Sequence, residues 1–223
     1  MKEHWEKVYN KTAVEKLGWF EDKPEPSFRL INHCNLSKNA AILNVGTGAS
    51  TMVDELLSLG FRNITATDIS SSAMEALRQR LGHEKSKNVT WIVDDLCNSH
   101  KLHLMDQVDL WHDRAVLHFL LKPGEQDAYF KLLKHLVKLN GYVIIAAFNC
   151  NGALKCSGLP VHRYKLEMLE EKLGQEFLIK RSFDYTYTNP SGDTREYIYT
   201  LFQRIAEEME FFSSKQGLYK RLS

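Results

Sequence analysis

The chain predicts an α/β fold: a mainly parallel sheet wrapped on both faces by helices and finished by an antiparallel hairpin. Three observations carry this. From Ala41 onward, short apolar runs alternate with amphipathic helical stretches, the pattern of parallel strands joined by crossover helices. The run Tyr142-Val143-Ile144-Ile145-Ala146-Ala147 is apolar without alternation, as a strand covered on both faces must be. Two late runs, Glu176 to Phe183 and Glu196 to Phe202, flank Tyr187-Thr188-Asn189-Pro190-Ser191-Gly192-Asp193, whose composition turns the chain back on itself.

Residues 1–38 read as a helical preface rich in aromatics (Trp5, Tyr9, Trp19, Phe20, Phe28), with a boundary near Ser37-Lys38-Asn39. Trp5 and Tyr9 stand four apart on one helix face, which either packs on the outside of the core or covers a ligand as a lid. The core, 39–205, opens with the strand Ala41 to Val45. The helix Ser50 to Leu59 then buries Met52, Val53, Leu56 and Leu57 and stops at Gly60. Ile64-Thr65-Ala66-Thr67 is the second strand. Ser72-Ala73-Met74-Glu75 has capping-box spacing and opens a helix with Leu77 and Leu81 on its stripe, which Gly82 ends. Val89 to Val93 and Gln107 to Trp111 are the next strands. A helix from Glu125 to Leu139 follows, closed by Asn140-Gly141, and after strand five another runs from Arg163 to Leu173, capped by Gly174. The tail, 206–223, carries Phe211-Phe212 with Lys215, Lys220 and Arg221, and reads as a disordered end or a docking segment.

With 223 residues, 43% hydrophobic and 26% charged, the chain suits one well-buried domain. A net charge of +1 gives no bulk electrostatic case for nucleic acid or an anionic membrane. Cys34, Cys97, Cys150 and Cys156 form no CxxC pair, so reduced thiols are expected and no structural zinc. His100/His103 and His162/Arg163 have no partners at metal-ligand spacing, so no metal is expected. The N-terminus lacks the apolar core of a signal peptide, and no apolar run approaches the ~20 residues that span a bilayer. The expected compartment is the cytoplasm.

The chemistry centres on Ala41-Ile42-Leu43-Asn44-Val45-Gly46-Thr47-Gly48-Ala49-Ser50-Thr51, an apolar strand that runs through a glycine-pivoted turn into a helix. A Gly-x-Gly here can be an ordinary tight turn. Asp68, 22 positions beyond Gly46 at the end of the second strand, adds a carboxylate placed to accept from ribose hydroxyls. Dinucleotides and S-adenosylmethionine share that geometry. The dinucleotide form wants a third glycine where Thr51 stands, and the turn holds no lysine or arginine for phosphate, so an adenosyl sulfonium fits better.

At this point the chain resembles the class I S-adenosylmethionine-dependent methyltransferases. Trp5-Glu6-x-x-Tyr9 with Trp19-Phe20, then Asp109-Leu110-Trp111-His112-Asp113-Arg114-Ala115-Val116 and Cys156-Ser157-Gly158-Leu159-Pro160-Val161, resembles a compact group similar to enzymes that methylate protein lysines, including those acting on elongation factors. The resemblance implies a Rossmann-like sheet of seven strands, the last inserted antiparallel between the fifth and sixth. It also implies S-adenosylmethionine as cofactor, with contacts from Trp19, Asn44, Gly46, Thr47, Gly48, Asp68, Ile69, Asp94, Asp95, Leu96 and His112. Gly46 and Gly48 would border the methionine portion and ribose, Asp68 would take the ribose hydroxyls, and Ile69 would lie against adenine. Asp95, ahead of Asp94, would accept from the adenine amino group. Family members usually carry an acid at position 44, where this chain has Asn44, an acceptor without charge.

The end of strand four is the natural catalytic position. His112 has a suitable pKa to remove a proton from the acceptor, and Asp113 could orient an amine or the cofactor's ammonium; either can equally be structural. Arg114 reads as an ion-pair partner of Asp113, and His118 as a packed residue. The loops after strand five, Phe148 to Gly152 and Cys156 to Pro160, should roof the acceptor site with the N-terminal aromatics. The expected activity is methyl transfer to nitrogen, sulfur or oxygen of a small molecule or protein side chain, and no nucleic acid acceptor, since His112-Asp113-Arg114-Ala115 replaces the signature of base methylation. A noncatalytic adenosyl-binding or protein-interaction module, motivated by Asn44, is the alternative, and a nicotinamide oxidoreductase is disfavoured by the missing glycine. Oligomeric state is open.

Overall fold

Alternate residues of the central strands send apolar side chains to opposite faces, and that decides the layering. Ile42, Leu110 and Ile144 fall in one buried cluster while their neighbours Leu43, Trp111 and Ile145 fall in the other. The computed structural model describes residues 1–206, so the tail expectation for Phe211-Phe212 and its basic neighbours lies outside the described residues. Seven strands form one sheet: β1 (Ala41–Val45), β2 (Asn63–Asp68), β3 (Val89–Val93), β4 (Val108–Arg114), β5 (Val137–Phe148), β6 (Phe177–Thr188) and β7 (Thr194–Arg204). Their order is β3-β2-β1-β4-β5-β7-β6, with β7 antiparallel between β5 and β6 and the first five strands parallel.

Among the described residues six α-helices accompany them: α1 (Lys2–Lys11), α2 (Glu25–Ile31), α3 (Met52–Ser58), α4 (Ser71–Ser86), α5 (Pro123–Leu136) and α6 (Leu166–Leu173). Met52, Val53 and Leu56 of α3 join Met74, Leu77 and Leu81 of α4 in the first cluster. Leu132, Leu133 and Leu136 of α5 join Leu169 and Leu173 of α6 in the second. Because the crossover from β1 goes to β2 on one side while β4 lies on the other, the ends of β1 and β4 splay around a crevice.

Two local signals resolve differently from expectation. The cap of α4 is Ser70, whose hydroxyl accepts from the Ala73 N–H at 3.1 Å, so the Ser72 to Glu75 spacing lies inside the helix; Gly82, at φ +71°, interrupts that helix. Asn140-Gly141 does not cap α5, which stops at Leu136, with β5 following at once. Asn140, at φ +64°, sits where pairing with β4 slips from Val108/Val137 to Leu110/Tyr142, a bulge. A left-handed Asn-Gly can end a helix or kink a strand, and only the pairing partner across the sheet chooses.

A carboxylate ties α1 to the head of α4. Glu6 of α1 lies over the N-terminus of α4, accepting from the N–H groups of Ser71 (2.7 Å) and Ser72 (3.1 Å) and from the hydroxyls of Ser70 and Ser71. Burial opposes its ionisation, but the hydrogen bonds from Ser72 and Ser71 prevail and bring its pKa down to about 2. A lowered folded pKa contributes stability above the unfolded value of 4.5 and loses it as pH falls toward 2. Fluorescence of Trp5, followed during acid titration, should therefore report release of α1 between those values, and Glu6→Gln should remove the step.

Candidate functional site

Gly46 and Gly48 adopt φ +54° and +52° in the turn after β1. A Cβ on Gly46 would strike Val116, and one on Gly48 would strike the Tyr9 hydroxyl. Both glycines are thus demanded by backbone conformation and by side chains arriving from the turn after β4 and from α1, where the sequence suggested close approach of a ligand. Asp68 closes β2 with Oδ2 accepting from the Gly48 N–H and Oδ1 from the Ser70 N–H, each at 2.8 Å. Burial pushes its pKa up to about 6, against the pull of the Ser70 and Gly48 donors.

At the end of β3 the two adjacent aspartates part company. Asp94 accepts from the Ser99 hydroxyl and from the N–H groups of His100, Lys101 and Leu102, and so is spent on the turn that follows. Burial works against that charge, but the Leu102, Lys101 and His100 bonds bring its pKa to about 2. The Asp95 carboxylate accepts only from the Cys97 N–H among the described residues, leaving its second oxygen free. Gly46, Asp68, Ile69, Asp94, Asp95 and Leu96 line a crevice enclosing about 810 Å³, partly open to solvent, whose other walls include Trp5, Tyr9, Trp19, Val116, Phe119, Arg114 and Cys156. Trp5 meets Trp19 and Phe119 edge-on at 5.4 and 5.0 Å between ring centroids, and Tyr9 meets Trp19 at 6.1 Å. Of the loops expected to roof the site, Cys156 lines the crevice, whereas Phe148 turns into the core.

A smaller hollow of about 440 Å³ adjoins it, sharing Gly46, Trp19 and Arg114 and adding Asn44, Thr47, Gly48, Glu21 and His112. His112 is 2% exposed and sits between Ser27 Oγ and Asn44 Oδ1, each 2.8 Å from a ring nitrogen. Asn44 Nδ2 donates to Thr47 Oγ1 at 2.7 Å, so its oxygen accepts from His112 Nδ1–H and the Ser27 hydroxyl donates to Nε2; the network assigns this tautomer. Burial, with the Arg114 charge, lowers the His112 pKa to about 3. Asp113 is fully buried, accepting from the N–H groups of Val116 and Leu117 and from the Tyr129 hydroxyl at 2.6 Å, and it borders neither cavity. Burial pushes its pKa up to about 7 while those donors pull it down. The expectation that His112 and Asp113 move protons therefore meets two side chains with every polar atom committed to holding loops.

Arg114 corrects a second expectation. Its partner is Glu21, with Nε to Oε2 at 2.8 Å, not Asp113. Neighbours along a strand point to opposite faces, so alternation along β4 already separated Asp113 from Arg114. Arg114 also donates to the Tyr199 hydroxyl (3.1 Å) and the Trp19 carbonyl (3.0 Å) and lies against the Tyr187 and Tyr197 rings. Nothing in the sequence pointed to Glu21, which reaches the site only because the chain after α1 folds back over β4. Among the described residues, no group of three His, Cys, Asp or Glu side chains is arranged to hold a metal ion, and no helix is long and apolar enough to cross a membrane.

A methyltransferase-domain family pattern matches residues 43–143, from β1 into β5. EEF1A lysine methyltransferase 2 of Danio rerio is 29% identical over 161 residues, spanning 66% of this chain and 68% of that protein. Among solved structures, an S-adenosylmethionine-dependent methyltransferase from Anabaena variabilis superposes with a TM-score of 0.72 at 12% identity, covering 91% of this chain and 93% of that one. The N-methyltransferase NodS of Bradyrhizobium japonicum, solved with S-adenosylhomocysteine, superposes at 0.64 and 13% identity over 90% and 98% of the two chains. Domain pattern, curated relatives and strand order together support a class I S-adenosylmethionine-dependent methyltransferase similar to the protein-lysine methyltransferases.

Proposed function

We propose that this methyltransferase modifies the ε-amino group of a protein lysine. The observation that carries the reading is the apolar, aromatic lining that Trp5, Trp19, Val116, Phe119 and Cys156 give the crevice. Such a lining packs the four-carbon stem of lysine and favours the uncharged amine, the form with a lone pair to give. The names of the curated relatives support the same acceptor.

S-adenosylmethionine supplies a methyl group already activated on sulfonium. The protein is left with positioning: holding donor carbon and acceptor nitrogen in line and keeping water out. Asp68 takes the ribose hydroxyls on the lone pairs its two N–H partners leave free, Asp95 accepts from the adenine amino group with the Leu96 N–H at the ring, and Ile69 covers a ring face. Gly46, Thr47 and Gly48 border the methionine portion. Residues 1–38 act as the lid, latched by Glu6. His112 and Asp113 are positioning groups: His112 steadies Thr47 through Asn44, and Asp113 shapes the turn that carries Val116. In this arrangement the Asn44 amide accepts from His112 and donates to Thr47 at once, which an ionised carboxylate could not do, so it gives no motive for a noncatalytic module. The amine's proton passes to solvent. Four free thiols suit a reducing compartment such as the cytoplasm, and the near-neutral balance favours no nucleic acid acceptor.

Incubation with labelled S-adenosylmethionine and purified elongation factor 1A, followed by mass spectrometry, should place methyl groups on lysine; label confined to small solutes would refute the protein acceptor. Calorimetry with S-adenosylhomocysteine should show affinity rising as pH increases through about 6, where the Asp68 carboxyl ionises. Asp68→Asn should abolish that dependence and weaken binding by about tenfold or more. His112→Gln should lower the melting temperature, while the remaining activity keeps the wild-type pH profile.

A further inference from the structure

The buried pair Glu21–Arg114 has unused valence, and it faces the hollow beside the glycine turn. Both side chains are nine-tenths or more buried, at 9% and 10% exposure, yet the pair does not close on itself. Arg114 Nη2 is buried with no hydrogen-bond partner among the described residues, while Nε and Nη1 are engaged. An orphaned guanidinium N–H in a dry site costs what a lost charge-assisted bond is worth, and a site tolerates it where a ligand completes it. On the other side, no donor but Arg114 is paired with the Glu21 carboxylate among the described residues. The segment carrying Glu21 is fixed: the Thr51 hydroxyl donates to the Glu21 carbonyl at 2.8 Å, Arg114 donates to the Trp19 carbonyl, and the Tyr187 hydroxyl donates to the Phe20 carbonyl. The same hollow is bordered by Asn44, whose amide is already committed in both directions and brings no charge.

We propose that Glu21 and Arg114 together receive the amino-acid end of the cofactor, Glu21 taking its α-ammonium and Arg114 Nη2 its α-carboxylate. A zwitterion presents the two charges in the complementary sense to this pair, so binding completes the orphaned donor and leaves the site neutral. Glu21 thereby supplies, from the segment after α1, the negative charge that position 44 lacks, and cofactor binding is coupled to the seating of that segment. The inference rests on the adenosyl reading of the crevice.

The test compares S-adenosylhomocysteine with 5′-methylthioadenosine, the same nucleoside thioether without the amino-acid end, by calorimetry on the full chain. Wild type should prefer the former by on the order of a hundredfold, two charge-assisted contacts at about tenfold each. Glu21→Gln should weaken S-adenosylhomocysteine by about tenfold while 5′-methylthioadenosine stays within about twofold. The double variant Glu21→Gln with Arg114→Met, which leaves no unpaired buried charge, should bring the two affinities close together, and its melting curve checks that it folds. Equal loss for both ligands would show the pair to be only a brace and overturn the proposal, as would wild type that binds both alike. Wild type that binds neither overturns the adenosyl reading and this inference with it.

Discussion

A guanidinium buried at the end of β4 must be answered from all sides, because moving such an ion out of water costs several kcal/mol unless charge and hydrogen bonds replace the solvent. At Arg114 the answers come from distant parts of the chain: Glu21 and the Trp19 carbonyl from the preface, Tyr199 from β7, and the Tyr187 and Tyr197 rings from the hairpin. Burial works against its charge, yet Tyr199 and Glu21 hold it firmly protonated. The residue thus draws the N-terminal segment and the antiparallel end of the sheet onto the open ends of the parallel strands. It lines both the larger crevice and the hollow beside the glycine turn.

Next to that charge the interior is kept neutral. Ser27, His112, Asn44 and Thr47 form a line of uncharged hydrogen bonds running from α2 through β4 and β1 to the glycine turn. His112 and Asn44 each accept from one neighbour and donate to the next, which an ionised carboxylate at position 44, an acceptor only, could not do, and it would bring a second charge into the same dry region. The glycine turn is therefore braced by hydrogen bonds within the protein itself, a form of preorganisation suited to a reaction whose catalytic demand is alignment. Asp113 does the equivalent work on the other face, where Val116, Leu117 and Tyr129 saturate it.

The preface lines the crevice through its aromatic residues. Trp5, Tyr9 and Trp19 pack edge to face over the crevice, and Glu6 ties their helix to α4. The aromatic stripe was visible in the sequence because four-residue spacing is a local property of a helix. The latch was not, because a glutamate on an exposed helix face looks the same whether it meets water or the bare N–H groups of another helix.

What the sequence determined by itself was carried by near neighbours: strands and helices from their periodicities, the glycine turn after β1, the acid closing β2 and the reversed hairpin. Asn140-Gly141 misled for the same local reason, since one backbone conformation serves two kinds of ending. Only the tertiary structure decided which charges meet. Glu21 with Arg114, Glu6 with the head of α4, and His112 with Asn44 and Ser27 are pairings across tens of residues, and their energies depend on solvent exclusion that no single segment possesses. His112 and Asp113 carry side chains able to move protons, and the fold buries both among hydrogen-bond partners.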